Sequence, residues 1–126
     1  MSLLGIDFGL RKIGLALAKE GLAQPLGIIR NSPSSFPKII RICQENKVEK
    51  IIVGLPQGRL VPEIKKFCLK LSEVCSLPID FQDESLTTQT AIAKMVETGK
   101  KKKKRRRIED AVAAACILQE YLEERR

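Results

Sequence analysis

Short apolar runs separated by turn residues mark the first thirty positions of the chain. Leu3–Phe8 and Ile13–Ala18 are mainly apolar and have the length of buried strands. Gly9-Leu10-Arg11-Lys12 joins them and is typical of a tight hairpin connection that begins with glycine. Gly27-Ile28-Ile29 and the neighbouring residues predict a third strand after the turn around Glu20-Gly21. The first part of the chain is therefore predicted to be a three-stranded meander.

The rest of the chain alternates between strand and helix patterns. Ser34 or Ser35 is predicted to cap a first helix that has Pro37 in its first turn. The later elements are a strand at Val48–Gly54, a helix from Pro62 to Cys75, a strand at Pro78–Phe81, a helix from Thr87 to Gly99 and a helix at Ile108–Glu124. This order predicts an α/β fold in which a mixed sheet is flanked by helices.

Length and composition indicate one globular domain that spans residues 1–126. Domains cluster near ~100–150 residues, and 44% hydrophobic residues are enough for one packed core. No apolar run is long enough to cross a membrane, and the N-terminus lacks the pattern of a signal peptide. We therefore expect a cytoplasmic protein without a membrane partner.

The absence of histidine removes whole classes of catalytic site. Ser-His-Asp triads, Cys-His pairs and histidine-ligated zinc all need an imidazole, and this chain has none. The four cysteines show no metal-ligand spacing, and Cys68 and Cys75 fall within the apolar stripe of a helix. We interpret the cysteines as reduced core residues, which leaves carboxylates as the main candidates for catalysis.

One tract contains the whole excess of positive charge. This basic tract consists of Lys100, Lys101, Lys102, Lys103, Lys104, Arg105, Arg106 and Arg107. The net charge is +8, and the other 15 Lys and Arg residues balance 15 Asp and Glu residues. We expect a mobile loop at about residues 98–107 that binds a polyanion such as nucleic acid. The alternative is a solvated loop that only improves solubility.

Acidic residues occur at three positions where the pattern suggests a site. Asp7 lies inside a strand that is otherwise apolar, Asp83-Glu84 follows the last predicted strand, and Glu109-Asp110 begins the last helix. A buried carboxylate is costly unless it is paired or bound to metal. The small residues that follow Asp110 would let its helix approach the sheet and bring this acid near Asp7.

Each acidic position also has an ordinary structural explanation. Asp7 could pair with Arg11 or Lys12 across the hairpin, and the other acids could stabilise the N-termini of helices. If the three positions converge instead, they match the preference of hard divalent cations for oxygen ligands. Such ions assist the hydrolysis of phosphodiesters.

Four blocks of this sequence resemble the YqgF family, also called RuvX. They are Leu4–Gly9 with Arg11–Ala16, Ile52–Pro56, Asp83–Thr88 and Asp110–Leu122. The blocks occur in the order of the family and span about residues 3–123. The first block by itself is also similar to the opening motif of actin-like ATPases, but the chain is too short for their second domain and has no phosphate-binding loop of the P-loop type.

The resemblance implies a ribonuclease H-like fold with a five-stranded mixed sheet flanked by helices. It also implies a nuclease that binds Mg²⁺ or Mn²⁺ through Asp7, Glu84 and Asp110, with Asp83 close enough to assist. The family is associated with maturation of the 5′ end of pre-16S ribosomal RNA, and an older assignment is resolution of Holliday junctions.

We therefore expect a metal-dependent nuclease that acts on pre-rRNA, as a monomer or a homodimer. The basic tract, together with Arg11, Lys12 and Arg59, is expected to bind the nucleic-acid backbone. Two alternatives stay open at this point. One is a resolvase that cuts branched DNA, and the other is a nucleic-acid-binding protein without catalytic activity.

Overall fold

The computed structural model describes residues 2–56, 58–84 and 102–125, with the backbone alone for residues 102–109. The strands in this part of the chain are β1 (Ser2–Phe8), β2 (Lys12–Lys19), β3 (Leu22–Arg30), β4 (Val48–Leu55) and β5 (Ile79–Asp83). The helices are α1 (Ser35–Glu45), α2 (Val61–Val74) and α3 (Lys102–Glu124). The predicted helix at Thr87–Gly99 lies outside the described residues.

The five strands form one mixed sheet in the order β3-β2-β1-β4-β5. The pairs β1–β2 and β2–β3 are antiparallel, whereas β1–β4 and β4–β5 are parallel. The predicted meander and the mixed sheet are thus confirmed. Because β1, β4 and β5 run in the same direction, their carboxyl ends meet at one edge of the sheet. Asp7 and Asp83 lie at that edge.

One face of the sheet packs against α1 and α2. Even-numbered residues of β1, such as Leu4 and Ile6, contribute to this core, and both are fully buried. Phe67 of α2 contacts two other aromatic rings, with centroids 5.1 Å from Phe8 and 5.3 Å from Phe36. The predicted apolar stripe of α2 is confirmed, because its members up to Leu71 are buried.

The opposite face of the sheet packs against α3. Odd-numbered residues of β1 point to this side, where Leu3 joins Ala114 and Leu118 in a second core. Glycines in the sheet allow a very close approach. A methyl group at Gly14 would overlap the backbone carbonyl of Asp110, and one at Gly5 would lie 3.0 Å from the carbonyl oxygen of Ala114. The backbone of α3 therefore rests almost directly on the sheet.

A polar network fixes the C-terminal end of α3 to β4 and β5. The Tyr121 hydroxyl donates to Asp80 Oδ2 at 2.9 Å and accepts from Lys50 Nζ at 3.1 Å. The guanidinium of Arg125 lies 3.7 Å from the centre of the Tyr121 ring. The hydrogen bond from Tyr121 holds the pKa of Asp80 below its usual range, against the opposing effect of desolvation. This network sets where α3 crosses the sheet.

The predicted third strand is confirmed as β3, which extends from Leu22 to Arg30 because it pairs with β2 along its whole length through a bulge between Leu15 and Ala16.

The prediction of a loop at about residues 98–107 is wrong in part. The described part of helix α3 starts at Lys102, so residues 102–107 are helical and not part of a loop. Lys and Arg are good helix formers, and this propensity outweighs the mutual repulsion of their charges. Positions 98–101 of the predicted loop lie outside the described residues.

The predicted cap of α1 is confirmed in position but not in its hydrogen bond. Ser34 occupies the N-cap but makes no capping hydrogen bond through its side chain. The Ser35 hydroxyl instead donates to the Arg30 carbonyl at 2.7 Å and accepts from the Ser32 N–H at 3.0 Å. The serines therefore tie the end of β3 to the start of α1.

None of the described helices is long and apolar enough to cross a membrane.

The substitution Gly14→Ala tests the contact between α3 and the sheet. We expect it to lower the free energy of unfolding by about 1–3 kcal/mol, because α3 must move away from the new methyl group. Leu69→Ala is the control, because Leu69 is an exposed residue of α2 and should change stability by less than about 0.5 kcal/mol. Denaturant unfolding provides the measurement. Equal stability of the two variants would contradict the close packing of α3.

Candidate active site

Asp7 lies on the sheet face that α3 covers. It is directly opposite Gly14 of β2, and the glycine leaves room beside the carboxylate for the helix backbone. Burial raises the pKa of Asp7 to about 7, with smaller contributions from the charges of Glu84 and Asp110 and from a hydrogen bond with Glu84. Asp7 is therefore a partly buried acid that two other acids surround.

Glu84 reaches the same place from the end of β5. Its backbone N–H donates to the Leu55 carbonyl at 3.3 Å, which continues the pairing of β5 with β4 by one residue. A methyl group at Gly54 would lie 3.4 Å from Glu84 Oε1, so the glycine leaves space for this side chain. Burial raises the pKa of Glu84, and the hydrogen bond with Asp7 partly opposes this effect.

Asp110 comes to the site on α3. Its backbone carbonyl lies against Gly14, the residue opposite Asp7, and its side chain is half-buried. The charge of Asp110 contributes to the raised pKa of Asp7. The structure thus brings the charges of three acids together that are 77 and 26 positions apart in the sequence.

A hydrogen bond between the side chains of Asp7 and Glu84 adds to the raised pKa of Asp7 and opposes the increase in the pKa of Glu84 that burial causes. The alternative explanation for Asp7 does not hold, because no ion pair joins it to Arg11 or Lys12 among the described residues. Both of these basic residues are exposed.

The chemistry of the three acids fits a hard divalent cation. Carboxylate oxygens are the ligands that Mg²⁺ and Mn²⁺ prefer, and the mutual repulsion of the acids would be relieved by a positive ion. Over residues 2–56, 58–84 and 102–125, no three acidic or sulfur side chains already form a complete ligand cluster. A coordination shell would therefore require the acids to be deprotonated and their side chains to change position.

Asp7, Glu84 and Asp110 form the acidic centre, and the other predicted site residues are exposed, belong to the start of α3 or lie outside the described chain. Asp83 is exposed at the last position of β5, beside Glu84. Arg11 and Lys12 are exposed at the turn between β1 and β2, and Arg59 is exposed between β4 and α2. Within the basic tract, Lys102–Arg107 belong to the first turns of α3, and positions 100 and 101 lie outside the described residues.

The sequence analysis missed Glu120 of α3. This residue is half-buried, and its charge raises the pKa of Glu84 and of Cys116 in addition to the larger effect of burial. The sequence signal that could have identified Glu120 is its spacing from the apolar residues of the helix. Glu120 follows the buried Ile117 by three positions, which puts an acid in line with the residues that face the sheet. Glu120 extends the acidic centre beyond Glu84.

Comparison with solved structures shows the fold. The RuvC protein of Thermus thermophilus, solved in complex with a Holliday junction substrate, matches with a TM-score of 0.62 at 16% identity, over 99% of this chain and 95% of RuvC. The fowlpox virus resolvase, solved with Holliday junction DNA, matches with a TM-score of 0.60 at 11% identity, over 98% of each chain. These matches confirm the ribonuclease H-like class.

Comparison of sequences shows the family. A family model described as "RuvX: Holliday junction resolvase" matches residues 1–124. A protein of Clostridium kluyveri named "Putative pre-16S rRNA nuclease" is 38% identical over 138 residues, which cover 98% of this chain and 97% of the relative. A protein of Protochlamydia amoebophila with the same name is 36% identical over 140 residues, which cover 98% and 93%.

The chain therefore belongs to the RuvX family. This confirms the resemblance on which the sequence analysis relied. Membership of the family, the nuclease names of the relatives and the ribonuclease H-like fold together support a nucleic-acid hydrolase.

The raised pKa of Asp7 predicts how stability depends on pH in the presence of a chelator. Between pH ~4 and about 7, the folded protein binds more protons at Asp7 than the unfolded chain does, so stability falls as the pH rises through this window. Asp7→Asn removes this titration. Above pH 7 the variant should exceed the wild type in stability by at most about 4 kcal/mol.

Asp83→Asn is the matched control, because it removes the same charge from an exposed position next to the site. Thermal unfolding of the three proteins at several pH values is the measurement. Parallel pH profiles for the wild type and Asp7→Asn would contradict the burial of Asp7 among the other acids.

Proposed function

We propose that this chain is a divalent-metal-dependent nuclease that matures the 5′ end of pre-16S ribosomal RNA. The observation that supports this most strongly is the burial of the Asp7 carboxyl beside Glu84 and Asp110. Glu84 and Asp110 add to the effect of burial on the pKa of Asp7, so their negative charges disfavour an ionised Asp7 in the metal-free protein, and a bound cation would remove that repulsion. A cluster of this kind is typical of functional sites.

In this proposal Asp7, Glu84 and Asp110 hold Mg²⁺ or Mn²⁺, and the exposed Asp83 is available beside them. When bound, such a cation supplies Lewis acidity for attack on phosphorus and for the charge on the leaving oxygen. The protein contributes a rigid frame. Glu84 is held by its backbone bond to Leu55, and Asp110 is held by the contact of α3 with Gly14.

RNA is favoured over branched DNA by the similarity of the relatives. The proteins named as pre-16S rRNA nucleases are 36% and 38% identical over nearly their whole lengths. The resolvase structures are at most 16% identical among those compared above, which supports the fold and not the substrate. The description of the family keeps branched DNA as the second candidate. The acids of the site argue against a purely binding role.

Location and assembly follow from the proposed substrate. We propose a cytoplasmic location, because ribosomal RNA precursors of bacteria such as the relatives are processed in the cytoplasm. Cleavage at one end of an RNA needs a single active site, so a monomer is sufficient. A resolvase that cuts two strands symmetrically would instead need a homodimer.

The basic tract is proposed to bind the RNA backbone close to the acids. Arg107 precedes Asp110 by three residues of one helix, which corresponds to about 4.5 Å along the axis of α3. A series of cations on this helix would therefore attract phosphates to the neighbourhood of the acidic centre. Arg59, exposed before α2, is proposed to assist from the other side of the site.

Charge-neutral substitutions on α3 test the catalytic assignment. Asp110→Asn should slow the cleavage of a labelled pre-16S rRNA fragment in Mn²⁺ by at least ~100-fold, since it removes a ligand to the ion that stabilises the transition state. Glu109→Gln is the control, because positions 109 and 110 differ by about 100° around the helix and only one of them can face the site.

The same assay contains two further comparisons. Chelator should abolish cleavage by the wild type, and a four-way DNA junction should be cut more slowly than the RNA. Equal loss of activity in Asp110→Asn and Glu109→Gln would mean that both acids only stabilise the helix. Faster cleavage of the junction would favour the resolvase.

Salt titration tests the basic tract. The double substitution of Lys103 and Arg106 by Gln keeps helix propensity and removes two charges. The slope of log affinity against log salt for RNA should become shallower by ~0.7–0.9 per lost phosphate contact. The control is the double substitution of Lys38 and Lys65 by Gln at exposed positions of α1 and α2. Identical slopes for both double variants would assign the tract to solubility alone.

A further inference from the structure

An open groove runs beside the acidic centre on the face of the sheet that carries α3. Its volume is about 1180 Å³, and its lining comes from the turn between β1 and β2, from β3 and from the start of the described side chains of α3. Leu26, Ile28 and Val112 are among its apolar lining residues. Pockets for small ligands are typically ~300–1,000 Å³, so this groove suits a short stretch of polymer better than a small molecule.

All charged residues that line the groove are basic. They are Arg11, Lys12 and Arg30, and no acidic residue belongs to the described lining. Lys12 and Arg30 are directly opposite each other in the antiparallel pair of β2 and β3. Like charges at such positions are destabilising. No ion pair to any of these three residues occurs in the described part of the chain, so an anionic ligand would relieve their repulsion.

The basic rim of the groove is held in a fixed position. Asn31, the residue after β3, donates from its side chain to the Gly9 carbonyl at 2.7 Å and from its backbone to the Arg11 carbonyl at 2.8 Å. These two bonds tie the turn between β1 and β2 to the end of β3. Arg11, Lys12 and Arg30 are therefore presented together on a rigid support, which lowers the entropic cost of binding.

The groove lies next to Asp7 and Asp110. Asp7, Gly14 and Ile28 form one row across β1, β2 and β3, and Lys12 and Arg30 lie two residues further along β2 and β3. Strand spacing and rise put the backbone of Arg30 roughly 12 Å from that of Asp7. Ala111 and Val112, which follow Asp110 on α3, line the groove from the other side.

We propose that this groove binds one single strand of the RNA substrate next to the cleaved bond, with Arg30 as a phosphate-binding residue. This inference rests on the proposed nuclease function. No aromatic side chain belongs to the described lining, so the bases have no stacking partner there. Contacts are made to phosphates by the basic residues and to the sugars by the apolar floor. Binding in the groove is therefore independent of base sequence.

Binding of labelled single-stranded RNA in chelator tests this proposal without any need for catalysis. Arg30→Gln should lower the affinity about tenfold, since one charge-assisted contact is lost. The slope of log affinity against log salt should become shallower by ~0.7. Lys19→Gln is the matched control, because Lys19 is exposed at the opposite end of β2, beside Leu22, and outside the groove.

A second pair of variants tests the apolar lining of the groove, which includes Leu26. Leu26→Glu introduces a negative charge into the lining, whereas Leu22→Glu introduces it on the same strand outside the lining, and both leucines are exposed. We expect only Leu26→Glu to weaken RNA binding. Thermal unfolding and the oligomeric state of each variant are measured alongside, so that a folding defect or a loss of association between copies is recognised.

The outcomes separate the groove from the nuclease assignment. Equal affinities for Arg30→Gln and Lys19→Gln would overturn the groove proposal, and so would an effect of Leu26→Glu on the oligomeric state alone. Wild-type protein that binds no RNA would overturn it as well. If Arg30→Gln weakens binding but the wild type cleaves no RNA in Mn²⁺, the groove is a binding site for single-stranded RNA and the proposed function fails.

Discussion

The close packing of α3 against the sheet is the constraint on which the rest of the structure depends. Gly5 and Gly14 remove the side chains that would hold the helix away, and the alanines of α3 do the same from the other side. Because the helix backbone rests on β1 and β2, Asp110 lies beside the row that contains Asp7. A larger residue at Gly14 would therefore disturb both the second core and the acidic centre.

The same packing makes the site electrostatically strained. Burial raises the pKa of Asp7 and of Glu84, and the charges of Glu84 and Asp110 add to this effect at Asp7. The network of Tyr121, Asp80 and Arg125 holds the far end of α3 and offsets some of this cost. Favourable interactions at the C-terminal end of α3 thus compensate in part for the unfavourable burial of the acids. Enzymes commonly combine a stable scaffold with a destabilised site in this way.

The sequence was most informative where a residue conflicted with its surroundings. Asp7 within an apolar strand pointed to the site, and the alternation of strands and helices predicted the mixed sheet. Whether acids from distant segments come together depends on tertiary packing, so the residues alone indicated only candidate acids for a site. The family resemblance selected Asp110 over Glu109. The helical start of α3 was not predicted, because eight adjacent positive charges suggest a loop although Lys and Arg favour a helix. Glu120 was not predicted either, because its effect on the pKa of Glu84 depends on how α3 packs.

The central claim is that Asp7, Glu84 and Asp110 form one metal site. The most direct measurement is the anomalous scattering of crystals soaked with Mn²⁺. We predict a manganese peak within coordination distance of carboxylate oxygens from all three residues, and no such peak in crystals of Asp7→Asn. A protein that binds Mn²⁺ elsewhere, or that shows no peak between these three residues at saturating Mn²⁺, would contradict the account.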